Sequence, residues 1–131
     1  MKTLIVEDDF TSRVLLQEFL KAYGPVHIAV NGREAVEAVR NSMSSGQPYE
    51  LICLDIMMPE MDGYEALREI RALEDARSVA ATSTAKIFMT TALGSSKNVI
   101  QAFNQSCDAY LLKPIEKTKL LDRLLEFGLS A

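Results

Sequence analysis

Five short apolar runs alternate with stretches of helical periodicity along this chain. The third run, residues 51–55, has no polar position before Asp55, which predicts a strand covered on both faces. The first run ends in a similar way, because Glu7 and Asp8 follow it directly. The predicted strands are residues 3–6, 26–30, 51–55, 86–90 and 109–112.

Apolar residues at helical spacing fill the intervals between these strands. Asn31 with Glu34, and Asp62 with Glu65, have the spacing of capping boxes at two helix starts. The polar segments 41–48 and 74–85 are typical of loops, and each leads into the N-terminal end of a strand. The predicted helices are residues 10–23, 32–40, 63–73, 95–103 and 115–125, the last ending near Gly128.

Strand and helix therefore alternate five times, which predicts an α/β fold with a doubly wound, five-stranded parallel sheet and helices on both faces. Ligands of such folds bind beyond the carboxyl ends of the strands. Those ends carry Glu7, Asp8, Asp55, Thr91 and Lys113. Each residue has a structural explanation when taken alone, such as an acid at a helix start, but their convergence on one edge predicts a site.

Composition narrows the class of protein. The 131 residues fit one domain, and no apolar run approaches the roughly 18 residues that a membrane helix needs. A net charge of −4 argues against direct nucleic-acid binding. Cys53 and Cys107 lack Cys-x-x-Cys spacing and are expected to be small buried thiols. We expect a cytoplasmic protein.

Clustered carboxylates cannot all remain ionised without a cation. Oxygen ligands alone suit Mg²⁺ or Mn²⁺ better than Zn²⁺, and Mg²⁺ commonly shares its site with a phosphoryl group. Lys113 has the right charge to pair with such a group, and the hydroxyl of Thr91 can donate to it. In this interpretation Asp55 is the nucleophile that forms an aspartyl phosphate.

These residues give the chain a resemblance to the receiver domain of response regulators, the CheY-like module of two-component signalling. The match lies in five separated places: Glu7-Asp8, Asp55 with Met58-Pro59 and Asp62-Gly63, Thr91-Ala92, Tyr110, and Lys113-Pro114. The resemblance implies the strand order 2-1-3-4-5 and a cis bond between Lys113 and Pro114. Because nothing follows the last predicted helix, no output domain is expected.

The resemblance also implies individual roles. Asp8 and Asp55 would bind the metal directly, Glu7 would bind it through water, and the main-chain carbonyl of Met57 would be a further ligand. Thr91 and Tyr110 would act as the switch that alters the surface of the fourth helix, fifth strand and fifth helix.

The implied partners are a sensor histidine kinase or a histidine phosphotransfer protein, which supplies the phosphoryl group, and a downstream protein that reads the switch. No membrane partner is expected, and a homodimer that forms on phosphorylation is left open. The only catalysis expected is phosphoryl transfer to the chain itself and its slow reversal. Met57 and Leu93 would border the path of the hydrolytic water, and as apolar residues they predict slow loss of phosphate. Alternatively, both point to solvent and the rate is ordinary.

Three other functions would also use residues of this kind. A phosphatase with an Asp nucleophile wants a second acid where Met57 stands, and a flavin carrier would need a phosphate-binding loop where Glu7, Asp8 and Asp9 repel phosphate. A receiver-like binding scaffold that is never phosphorylated is the third. The retention of all five motifs argues against it.

Overall fold

The computed structural model describes residues 1–58, 60–80, 83–92 and 107–129. In these ranges the elements are β1 (Thr3–Val6), α1 (Phe10–Leu20) with a 3₁₀ turn at Lys21–Tyr23, β2 (Val26–Ala29), α2 (Gly32–Ser44), β3 (Leu51–Asp55), α3 (Gly63–Ala76), β4 (Lys86–Ala92), β5 (Ala109–Lys113) and α4 (Lys117–Glu126). Here α4 corresponds to the fifth predicted helix. The fourth predicted helix, residues 95–103, lies outside the described residues, as does Leu93.

All five strands pair in parallel, in the order β2-β1-β3-β4-β5, which confirms the predicted fold class and strand order. β3 lies at the centre, and every one of its residues is buried, as expected for a strand covered on both faces. Because parallel strands end at the same edge, the carboxyl ends of all five strands meet on one side of the sheet.

Two apolar layers cover the sheet. On one face, α2 and α3 contribute Val36, Val39, Leu67 and Ile70 to a core that includes Ile52 and Leu54. On the other face, α1 and α4 contribute Leu16, Leu20, Leu120 and Leu124, which pack with Cys53 and Phe88. Within the described part of the chain, no helix combines the length and apolar content needed to cross a bilayer.

Both predicted capping residues begin their helices. The side chain of Asn31 accepts a hydrogen bond from the backbone N–H of Glu34 at 2.8 Å, and Asp62 accepts one from Glu65 at 3.0 Å. Each bond satisfies an N–H that has no partner inside its helix, which fixes where the helix starts.

The two predicted loops are wrong over their first residues, because α2 continues to Ser44 and α3 to Ala76. In α2, Met43 continues the apolar face and packs against the core. In α3, Glu74 is buried and its carboxylate accepts a hydrogen bond from the backbone N–H of Ala85 at 2.8 Å. These contacts stabilise polar turns that local sequence alone describes as loop.

Candidate functional site

The carboxyl edge of the sheet brings the predicted site residues together. Asp55 and Lys113 are the last residues of β3 and β5, and Glu7 follows β1 directly. The register pairs Asp55 with Thr90 and pairs Lys113 with Ala92, so Thr91 of β4 lies between these two levels. Strand ends, rather than flexible loops, therefore position most of the site.

Three acids form a cluster at this edge. One carboxylate oxygen each from Glu7, Asp8 and Asp55 lies within 4.8 Å of the others. Glu7 is fully buried and Asp55 is only 4% exposed, whereas Asp8 is exposed to solvent. Two buried carboxylates with a third beside them repel one another unless cations approach.

Lys113 supplies one such cation. Its Nζ lies 2.5 Å from Oε1 of Glu7 and 3.3 Å from Oδ1 of Asp55. Burial alone would lower the pKa of Lys113, but the hydrogen bonds and charges of the two carboxylates outweigh it and raise the pKa above its usual value. Lys113 therefore remains protonated between the two acids.

A single lysine does not balance the cluster. Burial, together with the neighbouring Glu7, raises the pKa of Asp55 to about 7, although Lys113 and the N–H of Met57 act in the opposite direction. The three donors are all carboxylate oxygens, which are ligands of hard divalent cations such as Mg²⁺. The cluster thus has both the donor set and the uncompensated negative charge that suit such an ion.

Backbone contacts fix the orientation of the acids. The N–H of Asp9 donates to Oε2 of Glu7 at 3.1 Å, and the N–H of Met57 donates to Oδ1 of Asp55 at 3.3 Å. The carboxylate of Asp9 itself accepts the N–H of Ser12 at 2.9 Å and caps α1. Asp9 is therefore occupied by helix capping, although it is the third acid of its run.

Gly63 allows α3 to begin close against the end of β3. Its N–H donates to the carbonyl of Ile56 at 2.9 Å. A Cβ at this position would lie 2.4 Å from the carbonyl oxygen of Asp55, a distance no side chain tolerates. Any larger residue would therefore displace either α3 or the backbone that carries Asp55.

The remaining predicted residues lie around this centre. Thr91 is buried, and its hydroxyl is 3.5 Å from the carbonyl oxygen of Ala92. Tyr110 is half-buried against the core beneath α2 and α3. The side chain of Met57 is largely in solvent, with 66% exposed. The Lys113–Pro114 bond is cis, as predicted.

Arg13 is a residue of this edge that the sequence pattern did not indicate. This residue lies in the first turn of α1, and its Nη1 donates to the main-chain carbonyl of Glu7 at 3.3 Å. The only local signal for this contact was the position of Arg13 four residues after the capping Asp9. Residues four apart lie on the same face of a helix, so the side chain of Arg13 can reach back to the start of α1.

Comparison with known proteins agrees with this geometry. Residues 3–125 match the family model for the response regulator receiver domain. The two-component response regulator ORR41 of rice (Oryza sativa subsp. japonica) is 34% identical over 133 residues, covering 99% of this chain and 96% of its own length.

Two solved structures extend the comparison. The receiver domain of the sensor histidine kinase PA1611 from Pseudomonas aeruginosa, with a magnesium ion coordinated in its active-site cleft, is 29% identical with a TM-score of 0.78, and the match covers 97% of each chain. The receiver domain of Ssk1 from Saccharomyces cerevisiae, in complex with the histidine phosphotransfer protein Ypd1, is 28% identical with a TM-score of 0.80. That match covers 98% of this chain and 88% of the other.

Other relatives are far longer. The chain spans 10% of an osmosensing histidine kinase from Saccharomyces cerevisiae and 7% of each of two hybrid histidine kinases from Dictyostelium discoideum. Since the family model spans nearly the whole sequence, and the fold and the acid cluster agree with it, the chain belongs to the response regulator receiver domain family, a signalling module rather than a conventional enzyme.

Proposed function

We propose that this receiver domain accepts a phosphoryl group on Asp55 from a phosphohistidine. The observation that carries the proposal is the placement of the buried Asp55 carboxylate 3.3 Å from Nζ of Lys113, inside a cluster of three acids. In the transfer, a carboxylate oxygen of Asp55 forms a bond to phosphorus as the bond from phosphorus to the donor's imidazole nitrogen breaks. The bonding electron pair stays on that nitrogen.

The chain's own residues mainly position groups and compensate charge in this reaction, since phosphoryl transfer depends chiefly on these two effects. The proposed role of Lys113 is to pair with the transferred phosphoryl oxygens, which it can reach from its place between Glu7 and Asp55. The hydroxyl of Thr91, at the end of the adjacent strand, would donate to another of these oxygens.

Mg²⁺, or Mn²⁺ in its place, would neutralise phosphoryl charge when bound. We propose Asp8 and Asp55 as direct ligands, Glu7 as a ligand through water and the main-chain carbonyl of Met57 as a further ligand. The oxygen-only cluster supports this assignment, as does the magnesium ion in the cleft of the PA1611 receiver domain.

The proposed output surface comprises β5, α4 and the fourth predicted helix, residues 95–103, which lies outside the described residues. Thr91 would move toward the phosphoryl group and Tyr110 would follow it inward, which is a local change with a wider effect. A groove between β5 and α4, lined by Tyr110, Leu112, Lys119 and Arg123, supports this location for a downstream protein. The resemblance leaves a phosphorylation-dependent homodimer as the other reader of this surface.

The phosphoryl donor is proposed to be a histidine kinase or a phosphotransfer protein in the cytoplasm. The Ypd1–Ssk1 complex supports the second class, because a similar receiver domain binds a histidine phosphotransfer protein there. We also propose a long phosphoryl lifetime, because neither Met57 nor Leu93 carries a strong hydrogen-bonding group that could hold a water. The 66% exposure of Met57 is instead what the alternative, an ordinary rate, expects.

Intact-mass measurement tests the proposal. After incubation with a small phosphodonor and Mg²⁺, the chain should gain one phosphate, and without divalent cation it should gain none. Asp55→Asn should abolish the gain. Asp9→Asn is the matched control, because Asn also caps helices well and Asp9 is used for capping. Equal phosphate uptake by Asp55→Asn and the parent chain would refute the assignment.

A further inference from the structure

The six methionines of this chain differ sharply in exposure. Met89 is fully buried, and Met1, Met43, Met58 and Met61 are partly buried against the two cores. Only Met57 is exposed, with 66% of its surface in solvent. All six lie within the described residues, so this contrast covers every thioether in the sequence.

Met57 is also the methionine closest in the chain to the proposed phosphoacceptor. Its N–H donates to Oδ1 of Asp55 at 3.3 Å, which holds its backbone against the carboxylate. The neighbouring Met58 turns toward the core beneath α2 and α3. The accessible thioether thus belongs to a residue only two positions after Asp55, the residue that would carry the phosphoryl group.

We propose that Met57 is a modification site, at which a peroxide oxidises the thioether to the sulfoxide and thereby shortens the lifetime of the phosphoryl group on Asp55. This inference rests on the proposed function. In this proposal an oxidant changes the rate at which Asp55 loses its phosphoryl group, and it does not change the rate at which Asp55 receives it.

The chemistry balances with a peroxide as the oxidant. The sulfur lone pair attacks one peroxide oxygen, an S–O bond forms and the O–O bond breaks. Sulfur loses two electrons, and the other oxygen leaves as water from hydrogen peroxide or as an alcohol from an alkyl peroxide. A dithiol reductant reverses the change by becoming a disulfide and releasing the oxygen as water.

Burial makes the oxidation selective. A peroxide must reach the sulfur, and the packed methionines are covered on at least part of their surface. The thioether of Met57 is flexible and apolar, whereas the sulfoxide is polar and its oxygen is a strong hydrogen-bond acceptor. The oxidised side chain can therefore hold a water beside the phosphoryl group, which the thioether does poorly.

The first measurement maps the oxidation itself. The whole chain is treated with hydrogen peroxide at limiting dose and digested, and fragment-ion sequencing of the peptides assigns each added oxygen to one methionine, because Met57 and Met58 are adjacent. We expect one added oxygen on Met57 before any other methionine is oxidised. Oxidation of Met43 or Met61 at the same or a lower dose would overturn the proposal, whatever the phosphoryl chemistry does.

The second measurement is the rate of phosphate loss from the labelled chain before and after that treatment. One additional hydrogen bond to the attacking water should accelerate the loss by about fivefold (~1 kcal/mol). In Met57→Leu, which has no thioether at this position, the same treatment should leave the rate as it was before treatment. Met57→Gln should lose phosphate faster than Met57→Leu without any oxidant.

An unchanged lifetime in chains shown by mass to carry the Met57 sulfoxide would overturn the inference, and so would equal acceleration in Met57→Leu. Both results leave the proposed function intact. If the untreated chain takes up no phosphate in the presence of Mg²⁺, then the proposed function fails and this inference fails with it.

Discussion

Each end of the sheet holds one cation between two carboxylates, yet the two clusters are built differently. At the amino end, Arg71 pairs with Glu74 at 2.8 Å and with Asp108 at 3.0 Å. It also donates to the carbonyl of Ala85, while the two acids accept the backbone N–H groups of Ala85 and Ile87, each at 2.8 Å. This cluster ties α3 to the start of β4 and to the residue just before β5.

Within the described residues, the cluster at the carboxyl end has more negative charge and fewer hydrogen bonds. Lys113 is a point charge shared by Glu7 and Asp55, and Asp8 adds a third carboxylate nearby. Among the described residues, the backbone N–H that donates to Asp55 is that of Met57, at a long 3.3 Å. Burial raises its pKa to about 7, which shows how poorly the charged form is compensated.

The difference separates a structural ion cluster from a reactive one. At the amino end, the guanidinium and the backbone N–H groups together fill the hydrogen-bonding positions of both carboxylates. They thereby hold α3 against the strands. A lysine among three acids leaves negative charge that a divalent metal ion can neutralise. The two ends should therefore respond in opposite ways to mutation.

The largest effect is expected at the amino end. Arg71→Ala leaves Glu74 and Asp108 without their cation inside the protein and should lower the free energy of unfolding by ~3–5 kcal/mol. Denaturant unfolding followed by circular dichroism measures this loss. The exposed Arg33 provides the control, since Arg33→Ala should change the free energy by no more than about 0.5 kcal/mol. A similar unfolding midpoint for both variants would contradict the structural role of Arg71.

Metal binding should distinguish the other end. At a Mg²⁺ concentration about 100 times its dissociation constant, the free energy of unfolding should rise by ~2.7 kcal/mol. Asp8→Asn should lose most of that gain, whereas Asp9→Asn should retain it because Asp9 caps α1. Thermal unfolding with and without Mg²⁺ measures both. Equal stabilisation of the two variants would show that the ion does not bind at the acid cluster.

The smallest effect is a difference in the sign of the stability change between two Asp→Asn variants, one in each cluster. Without divalent cation, Asp55→Asn removes a poorly compensated buried charge and should stabilise the fold by about 1 kcal/mol. Asp108→Asn removes a charge that Arg71 satisfies and should destabilise it by about 1 kcal/mol. Chemical unfolding of both variants in chelator tests the pair, and shifts in the same direction would remove the distinction between the two clusters.

Local signals in the sequence determined most of the framework. The first strand has the predicted bounds, Thr3–Val6, and the caps at Asn31 and Asp62 lie where predicted. Strand periodicity and capping depend on residues a few positions apart, so they can be predicted from local sequence without knowledge of the fold. The alternation of strands and helices then sufficed for the fold class and, with the family resemblance, for the strand order.

The site residues could also be predicted from the sequence, because the carboxyl ends of parallel strands lie at one edge of the sheet. Asp55 and Lys113 could be placed there from their positions at strand ends. Their proposed roles remain predictions. What tertiary structure decided is which charges touch: Lys113 lies between Glu7 and Asp55, while Asp9 turns away to cap a helix.

The missed helix ends show why the remainder required the fold. Glu74 appeared to begin a polar loop, but it is buried in α3 and bonded to Arg71 and to the backbone of Ala85. A polar residue inside a protein is stabilised by partners distant in the chain, and no local pattern records where those partners will lie. The sequence alone thus determined the order of elements and the residues at their ends, whereas only packing decided which buried charges are satisfied and which remain reactive.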